Sequence, residues 1–413
     1  MKIRSILLVT MSAAAVAAGM SPAAATQTAV QFNLIDDGGV SAGGLAYQGF
    51  SAAANYWSSI LTTSQPVTVN LKVGYQSLGQ SILGQTGSSY DERFAFFVEN
   101  RIKDRQFGSF DAQAAANLPT LGTGLFGDGT ALKMYTPGYT GYDSQGKPFG
   151  IDNSTRVFDT DGGYNNSVLG LTTANGKALG YDYGSNIDGQ IIFSSDFNFD
   201  FNPGDGISAG SYDFIGVAIH EIGHALGFVS GVDDYDVLGT GGFFADKACL
   251  PDGTLCKNFP ANDGWFGNPL DLFRYSAAGT LDWTTSSASY FSIDQGATAY
   301  NNAYFSTGEY NGDGWQASHW KSPVTPPLCS GLLGVMNPYL CNGQNAIITG
   351  RDLAALDAIG WNINQNVGSY ADYRLSTRLV SVPEPSTWAM LLLGLGGLGA
   401  ALRRRRLLAT EVP

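Results

Sequence analysis

Histidine is scarce in this 413-residue chain, with only three: His220, His224 and His319. Two of them lie in the run His220-Glu221-Ile222-Gly223-His224-Ala225-Leu226-Gly227-Phe228, which has the form H-E-x-x-H-x-x-G. On an α-helix, residues four apart sit one above the other on the same face. Two imidazoles at that spacing can hold one zinc ion, with the intervening glutamate beside the water that such an ion binds. Zinc lowers the pKa of that water to about 7, and Glu221 is the general base that would take its proton. The bland alternative is a buried helix whose histidines are merely hydrogen-bonded. Two imidazoles and a carboxylate on an apolar helix are costly to bury without a metal or partners, which favours the metal.

A catalytic zinc takes three protein ligands and keeps one position for water. An extended motif of the form H-E-x-x-H-x-x-G-x-x-H/D would place the third ligand at residue 230, but Ser230 is a poor donor. The remaining candidates are Asp233, Asp234, Asp236, Glu309 and His319. His319 is preferred, because imidazole suits zinc and because the residue lies 17 positions before Met336 in the stretch that ends Gly334-Val-Met-Asn-Pro338. Tyr339 is a candidate oxyanion donor, although a core or surface ring is the commoner role of such a tyrosine.

These residues need elements to position them. Asp213 is placed to cap a helix over residues 213–227, with Gly227 as its left-handed stop. Upstream, Val30–Ile35, Val67–Tyr75, Ser167–Leu179 and Gly189–Ser195 read as strands, and Ala46–Leu61 and Tyr90–Ile102 as helices. Residues 107–165 read as loops and short strands. Asp196–Asn202 alternates acidic and phenylalanine positions; it invites a calcium reading but lacks the glycine and distal glutamate of a calcium loop, so a strand with a polar outer face is preferred. Asp159-Thr-Asp-Gly-Gly163 is an equally weak calcium signal. Thr349 and Asp352 fit a capping box for a closing helix that stops at Gly360. A peptide substrate is expected to pair antiparallel with the strand at Gly189, Gln190, Ile191, Ile192 and Phe193.

The run His220–Phe228, then Ser318-His319-Trp320, then Val335-Met336-Asn337 resembles the metzincin clan of zinc proteases. It is most similar to the leishmanolysin-type arrangement, in which an insertion separates the helix from the third histidine. That resemblance implies an α+β catalytic domain with a twisted, mostly β N-terminal subdomain carrying two or three helices. It implies zinc on His220, His224 and His319, Glu221 as base, and a methionine turn at Met336 beneath the imidazoles. The motifs cover about 60 residues, and Ser230 departs from the short-spacer pattern of matrixins and astacins.

Composition sets the compartment. The formal net charge is −13. Residues 1–25 read as a signal peptide, with Lys2 and Arg4 before an apolar centre and Ala23-Ala24-Ala25 at the cleavage point. That segment and the tail from Pro383 each carry a net +2, so the body is near −17. Such a charge excludes nonspecific nucleic-acid binding and docking on an anionic membrane. The four cysteines suggest two local disulfides, Cys249 with Cys256 and Cys329 with Cys341. The tail joins Val382-Pro-Glu-Pro-Ser386 to an apolar run of 15 residues, Trp388–Leu402, and then to Arg403–Arg406. It resembles a PEP-CTERM sorting signal, a C-terminal tail of exported bacterial proteins that is cut by an exosortase.

The expected organisation is therefore a signal peptide at 1–25, a catalytic body at 26–380 and a sorting tail at 381–413 with a short span at 388–402. Within the body, 26–230 is the N-terminal subdomain, 231–318 the insertion, and 319–364 carries the third ligand, Met-turn and closing helix. The expected partners are a protein or peptide substrate, signal peptidase, an exosortase-type enzyme and, transiently, the inner membrane. The expected place is the cell surface or extracellular matrix. Two other functions fit the same residues: a non-enzymatic surface protein with a structural zinc, and a zinc amide hydrolase acting on the cell wall.

Overall fold

Val69, Leu71 and Val73 alternate along Thr68–Gln76 and are completely buried, which makes this strand the spine of the N-terminal half. The computed structural model describes residues 27–380 except 80, 246–259, 324–328, 330, 365, 366, 368 and 369. In it the spine belongs to a four-stranded sheet with spatial order Gln31–Asp36, Thr68–Gln76, Gly189–Ser194, Gly84–Ser88. The first three strands are parallel, and the edge strand Gly84–Ser88 runs antiparallel to Gly189–Ser194.

Parallel neighbours need a crossover, and the helix Leu45–Ile60 links the first two strands. Its Phe50 meets Phe193 of the sheet and Phe214 of the next layer edge to face, at 4.7 and 5.1 Å between ring centroids. That next layer is the helix Phe214–Ala225. Trp57 donates its indole N–H to the helix backbone at Ile219 O (3.0 Å), and Trp361 donates to Leu226 O, the residue that caps the helix end (2.8 Å). The architecture is mixed α+β around one continuous core that includes residues of the N-terminal half, the insertion and the closing helix.

Four expected elements differ. The stretch 107–165, expected to be loops and short strands, holds the helix Ser109–Ala116. Tyr90–Phe94 is a strand, paired antiparallel with Val168–Thr172, and the helix begins only at Ala95–Asp104. Its partner lies far along the chain, so local periodicity could not show it. The strand expected at Ser167–Leu179 ends at Thr172, whose hydroxyl accepts from Asn175 N and caps the helix Thr173–Ala178. The acidic run Asp196–Asn202 keeps only Phe199–Asp200 as strand. Asp196 accepts from Ser77 Oγ and Gly79 N, and Asp200 from Asn202 N and Ser208 N, so these carboxylates shape turns instead.

The insertion is woven into the body. Gly170 N donates to Gly267 O at 2.9 Å, and Trp283 N to Tyr135 O at 2.8 Å. It also holds a helix, Val232–Leu238, that the sequence reading passed over. The closing helix Gly350–Ala358 has the expected Thr349/Asp352 capping box. Cys329 and Cys341 form a disulfide with 5.9 Å between Cα atoms. Cys249 and Cys256, the signal peptide at 1–25, and the tail with its span at 388–402 lie outside the described residues. Among the described residues, no helix is long and apolar enough to cross a membrane.

Candidate metal centre

Asp213 begins the central helix, accepting from Gly216 N at 3.0 Å, and its other oxygen accepts from Ala346 N at 3.0 Å. The helix thus starts from a cap tied to the C-terminal half. It ends at Gly227, whose φ of +111° suits glycine. The turn that follows brings Phe228 O to within 2.7 Å of His224 Nδ1. His220 Nδ1 stands 2.8 Å from Val335 O, and His319 Nδ1 stands 3.2 Å from Gln316 O.

Each Nδ1 therefore faces a carbonyl, which fixes the proton there and leaves a lone pair on each Nε2. The three Nε2 atoms converge, at 3.0 Å (His220 and His224), 3.2 Å (His224 and His319) and 3.3 Å (His220 and His319). Three acceptors so arranged cannot satisfy one another. They can all reach one ion at the Zn–N distance of about 2.0–2.1 Å. Among the described residues this is the one group of three or more His, Cys, Asp or Glu side chains so placed. Burial, with His220 nearby, pushes His224 down to about 3, and His319 well below its ordinary value. Both rings are neutral at pH 7, the form in which imidazole binds a metal. The donor set fits zinc.

Glu221 is buried on the same helix, and burial raises its pKa while His220 and Thr86 oppose the shift. Thr86 was not anticipated. It lies on the edge strand, and its hydroxyl is 2.7 Å from Glu221 Oε2. A methyl group placed on Gly84 of the same strand would stand 3.1 Å from Glu221 Oε1. The edge strand therefore crosses directly over the candidate base.

This corrects the expected substrate strand. Gly189, Gln190, Ile191, Ile192 and Phe193 pair on one side with Leu71–Tyr75 and on the other with Gly84–Ser88. A strand with both neighbours in place has no ladder groups left for a peptide. The sheet edge beside the histidines is Gly84–Ser88.

Ser230 points away from ligand duty: its hydroxyl donates to Asp271 Oδ1 at 2.6 Å. Its backbone N–H donates to Ser318 Oγ at 2.9 Å, beside the third histidine. Asp233, a rival ligand on sequence grounds, accepts from Ala317 N at 2.5 Å and Ser318 N at 3.1 Å. It holds the His319 loop, with burial lifting its pKa to about 7 against those donors. Asp236 accepts from the amides of Tyr310 and Asn311 at 2.9 and 2.8 Å. No signal short of the fold distinguishes such a supporting carboxylate from a ligand.

Met336 is buried below the helix, and a methyl group on Gly223 would come within 2.5 Å of its sulfur. Its carbonyl accepts from Trp320 N at 2.9 Å, so the turn is joined to the residue after His319. Asp352 secures both: Oδ1 accepts from Trp320 Nε1 (2.8 Å) and Met336 N (3.2 Å), and Oδ2 from Val335 N (3.0 Å) and Thr349 N (2.7 Å). Tyr339 packs its ring against Trp315 at 5.3 Å between centroids.

Residues 381–406 match the family description of the PEP-CTERM protein-sorting motif. Comparison with curated proteins and with solved structures gives no match. The chain thus carries the tail of an exported bacterial protein that an exosortase-type enzyme recognises, processes at the membrane and sorts to the cell surface.

Proposed function

We propose that this chain is an exported zinc-dependent endopeptidase, built on a metzincin-like body with the third ligand and methionine turn supplied across an insertion. The observation that carries the reading is the convergence of three Nε2 lone pairs, each set by a carbonyl on its own Nδ1. His220, His224 and His319 would hold the zinc, which when bound supplies Lewis acidity toward a water and a peptide carbonyl. Glu221, its basicity raised by burial and its carboxylate oriented by Thr86, takes a proton from the attacking water and returns it to the leaving amine. An extended peptide pairing with the backbone of the edge strand Gly84–Ser88 would carry its scissile bond beside Glu221. Tyr339 is a second-rank candidate for the oxyanion.

A buried glutamate beside the three histidines separates this reading from a structural zinc, which needs no base and closes its fourth position. The sheet edge that Gly84–Ser88 forms among the described residues favours a peptide over a cell-wall amide. The test measures bound zinc and casein hydrolysis in wild type, Glu221→Ala and His319→Ala. The expected outcome is zinc without activity for Glu221→Ala, and loss of both for His319→Ala. Wild type that holds zinc and cuts neither casein nor other peptides overturns the peptidase. Retention of zinc and activity by His319→Ala overturns the ligand set.

A further inference from the structure

Away from the histidines, the loop between the strand Asp152–Asp159 and the short helix Tyr164–Ser167 gathers oxygen atoms from two carboxylates and two amides. Asp159 is buried, and Asp161 follows it two residues later. Among the described residues neither carboxylate takes part in an ion pair. Their neighbours are neutral donors: Asn165 Nδ2 and Tyr139 OH on Asp159 Oδ2, at 2.9 and 3.4 Å, and Gly163 N on Asp161 Oδ1 at 2.7 Å. Asp161 N adds a long contact of 3.3 Å to Asp159 Oδ1.

A second observation points to a cation. Asn165 has no exposed surface, yet among the described residues its Oδ1 has no hydrogen-bond partner. A methyl group on Gly163 would stand 3.0 Å from Asp161 Oδ1, 3.3 Å from Asn262 Nδ2 and 3.4 Å from Asn165 Oδ1. These three side chains therefore border one space, kept open because residue 163 is glycine. Asn262 donates Nδ2 to Asp161 Oδ2, while its Oδ1 accepts from Tyr139 OH at 3.1 Å. Which amide atom faces a carboxylate follows from the surroundings. With a cation in the space, Asn262 can turn its oxygen inward.

We propose that Asp159, Asp161, Asn165 and Asn262 form a calcium site that fastens the insertion, through Asn262, to the N-terminal half. Carboxylate and amide oxygens without nitrogen or sulfur donors select a hard cation. A loop with room for waters suits the 6–8 oxygen ligands of calcium better than the strict octahedron of magnesium. The other acidic run does not compete, because Asp196 and Asp200 are committed to their own turns.

The test uses the full chain, with calcium chloride alone as titrant in calorimetry and terbium emission excited through nearby tyrosines as a second readout. Wild type is expected to bind one calcium and to unfold at a higher temperature with it. Asp161→Asn, at an exposed position, should weaken binding by about tenfold or more, as loss of a charged ligand does. Asp200→Asn should bind like wild type. Sensitised terbium emission that calcium displaces tests wild type without depending on any variant's folding. Absence of calcium binding and terbium emission in wild type overturns the proposal. So does Asp161→Asn binding as tightly as wild type, or loss of binding in Asp200→Asn.

Discussion

Thr86 Oγ1 lies 2.7 Å from Glu221 Oε2 and 2.9 Å from Glu221 O, so one hydroxyl proton from the sheet edge is shared between the helix backbone and the candidate base. The two residues are 135 positions apart. Removing the hydroxyl as Thr86→Val should leave zinc content unchanged and lower kcat on a peptide substrate about ten- to a hundredfold, the worth of one hydrogen bond to a charged group. Thr86→Ser keeps the donor and should retain most activity. A larger loss in Thr86→Ser than in Thr86→Val would show that the methyl group, rather than the hydroxyl, matters.

Asp352 is fully buried and receives the N–H groups of Thr349, Val335, Met336 and Trp320. Asp352→Ala would strand those donors, and a loss of about 3–5 kcal/mol is expected from a buried charged network of this kind. Denaturant unfolding measures it. Zinc affinity should fall too, since Val335 O orients His220 and Trp320 follows His319. A variant with wild-type zinc affinity would uncouple the methionine turn from the metal centre.

The close approach of Gly223 to Met336 predicts an asymmetry between two conservative changes. Gly223→Ala drives a methyl group to within 2.5 Å of the sulfur, so the helix and the turn must separate. Zinc content should drop and stability should fall by about 1–3 kcal/mol. Met336→Leu conserves volume and should cost less than about 1.5 kcal/mol, with zinc retained. Paired zinc analysis and thermal melts read both.

Glu99 gives a pH signature remote from the histidines. Burial raises its pKa from 4.5 to about 7, against the opposing effect of Lys103, whose Nζ is 3.2 Å from Oε2. The folded state therefore holds this proton more tightly than the unfolded chain does. Its contribution is fully present below pH 4.5 and is lost as pH rises through about 7. The loss amounts to about 3 kcal/mol. Glu99→Gln should flatten that slope and be more stable than wild type at pH 8. Melting curves from pH 4 to 8 that fall in parallel for the two proteins would contradict this.

What the sequence disclosed was local. Asp213 as cap, Gly227 as stop and the Thr349/Asp352 box each depend on a few neighbouring residues, and each was legible. The edge strand Gly84-Gln-Thr-Gly-Ser88 was not, because it has two glycines and no apolar alternation. Its strand form comes from pairing with Ile191 and its neighbours, over 100 residues away. Interior and edge strands cannot be told apart without that pairing, so nothing in the local sequence marks Gly189–Ser194 as interior. Asp233 was noticed for its chemistry, but its role depends on reaching Ala317 and Ser318, 84 and 85 positions on.

The small sheet formed by Thr28–Ala29, Leu61–Thr63 and Asn362–Ile363 joins the two ends of the body, and Asn362 Nδ2 meets Gln27 Oε1 at 2.9 Å across 335 positions. A polypeptide threaded N-terminus first through a secretion pore cannot close that sheet until nearly the whole body has emerged. His319, Met336 and Asp352 arrive in the same late stretch. In a chain delivered from that end, the histidine triangle is complete only once His319, from the last third of the body, is present.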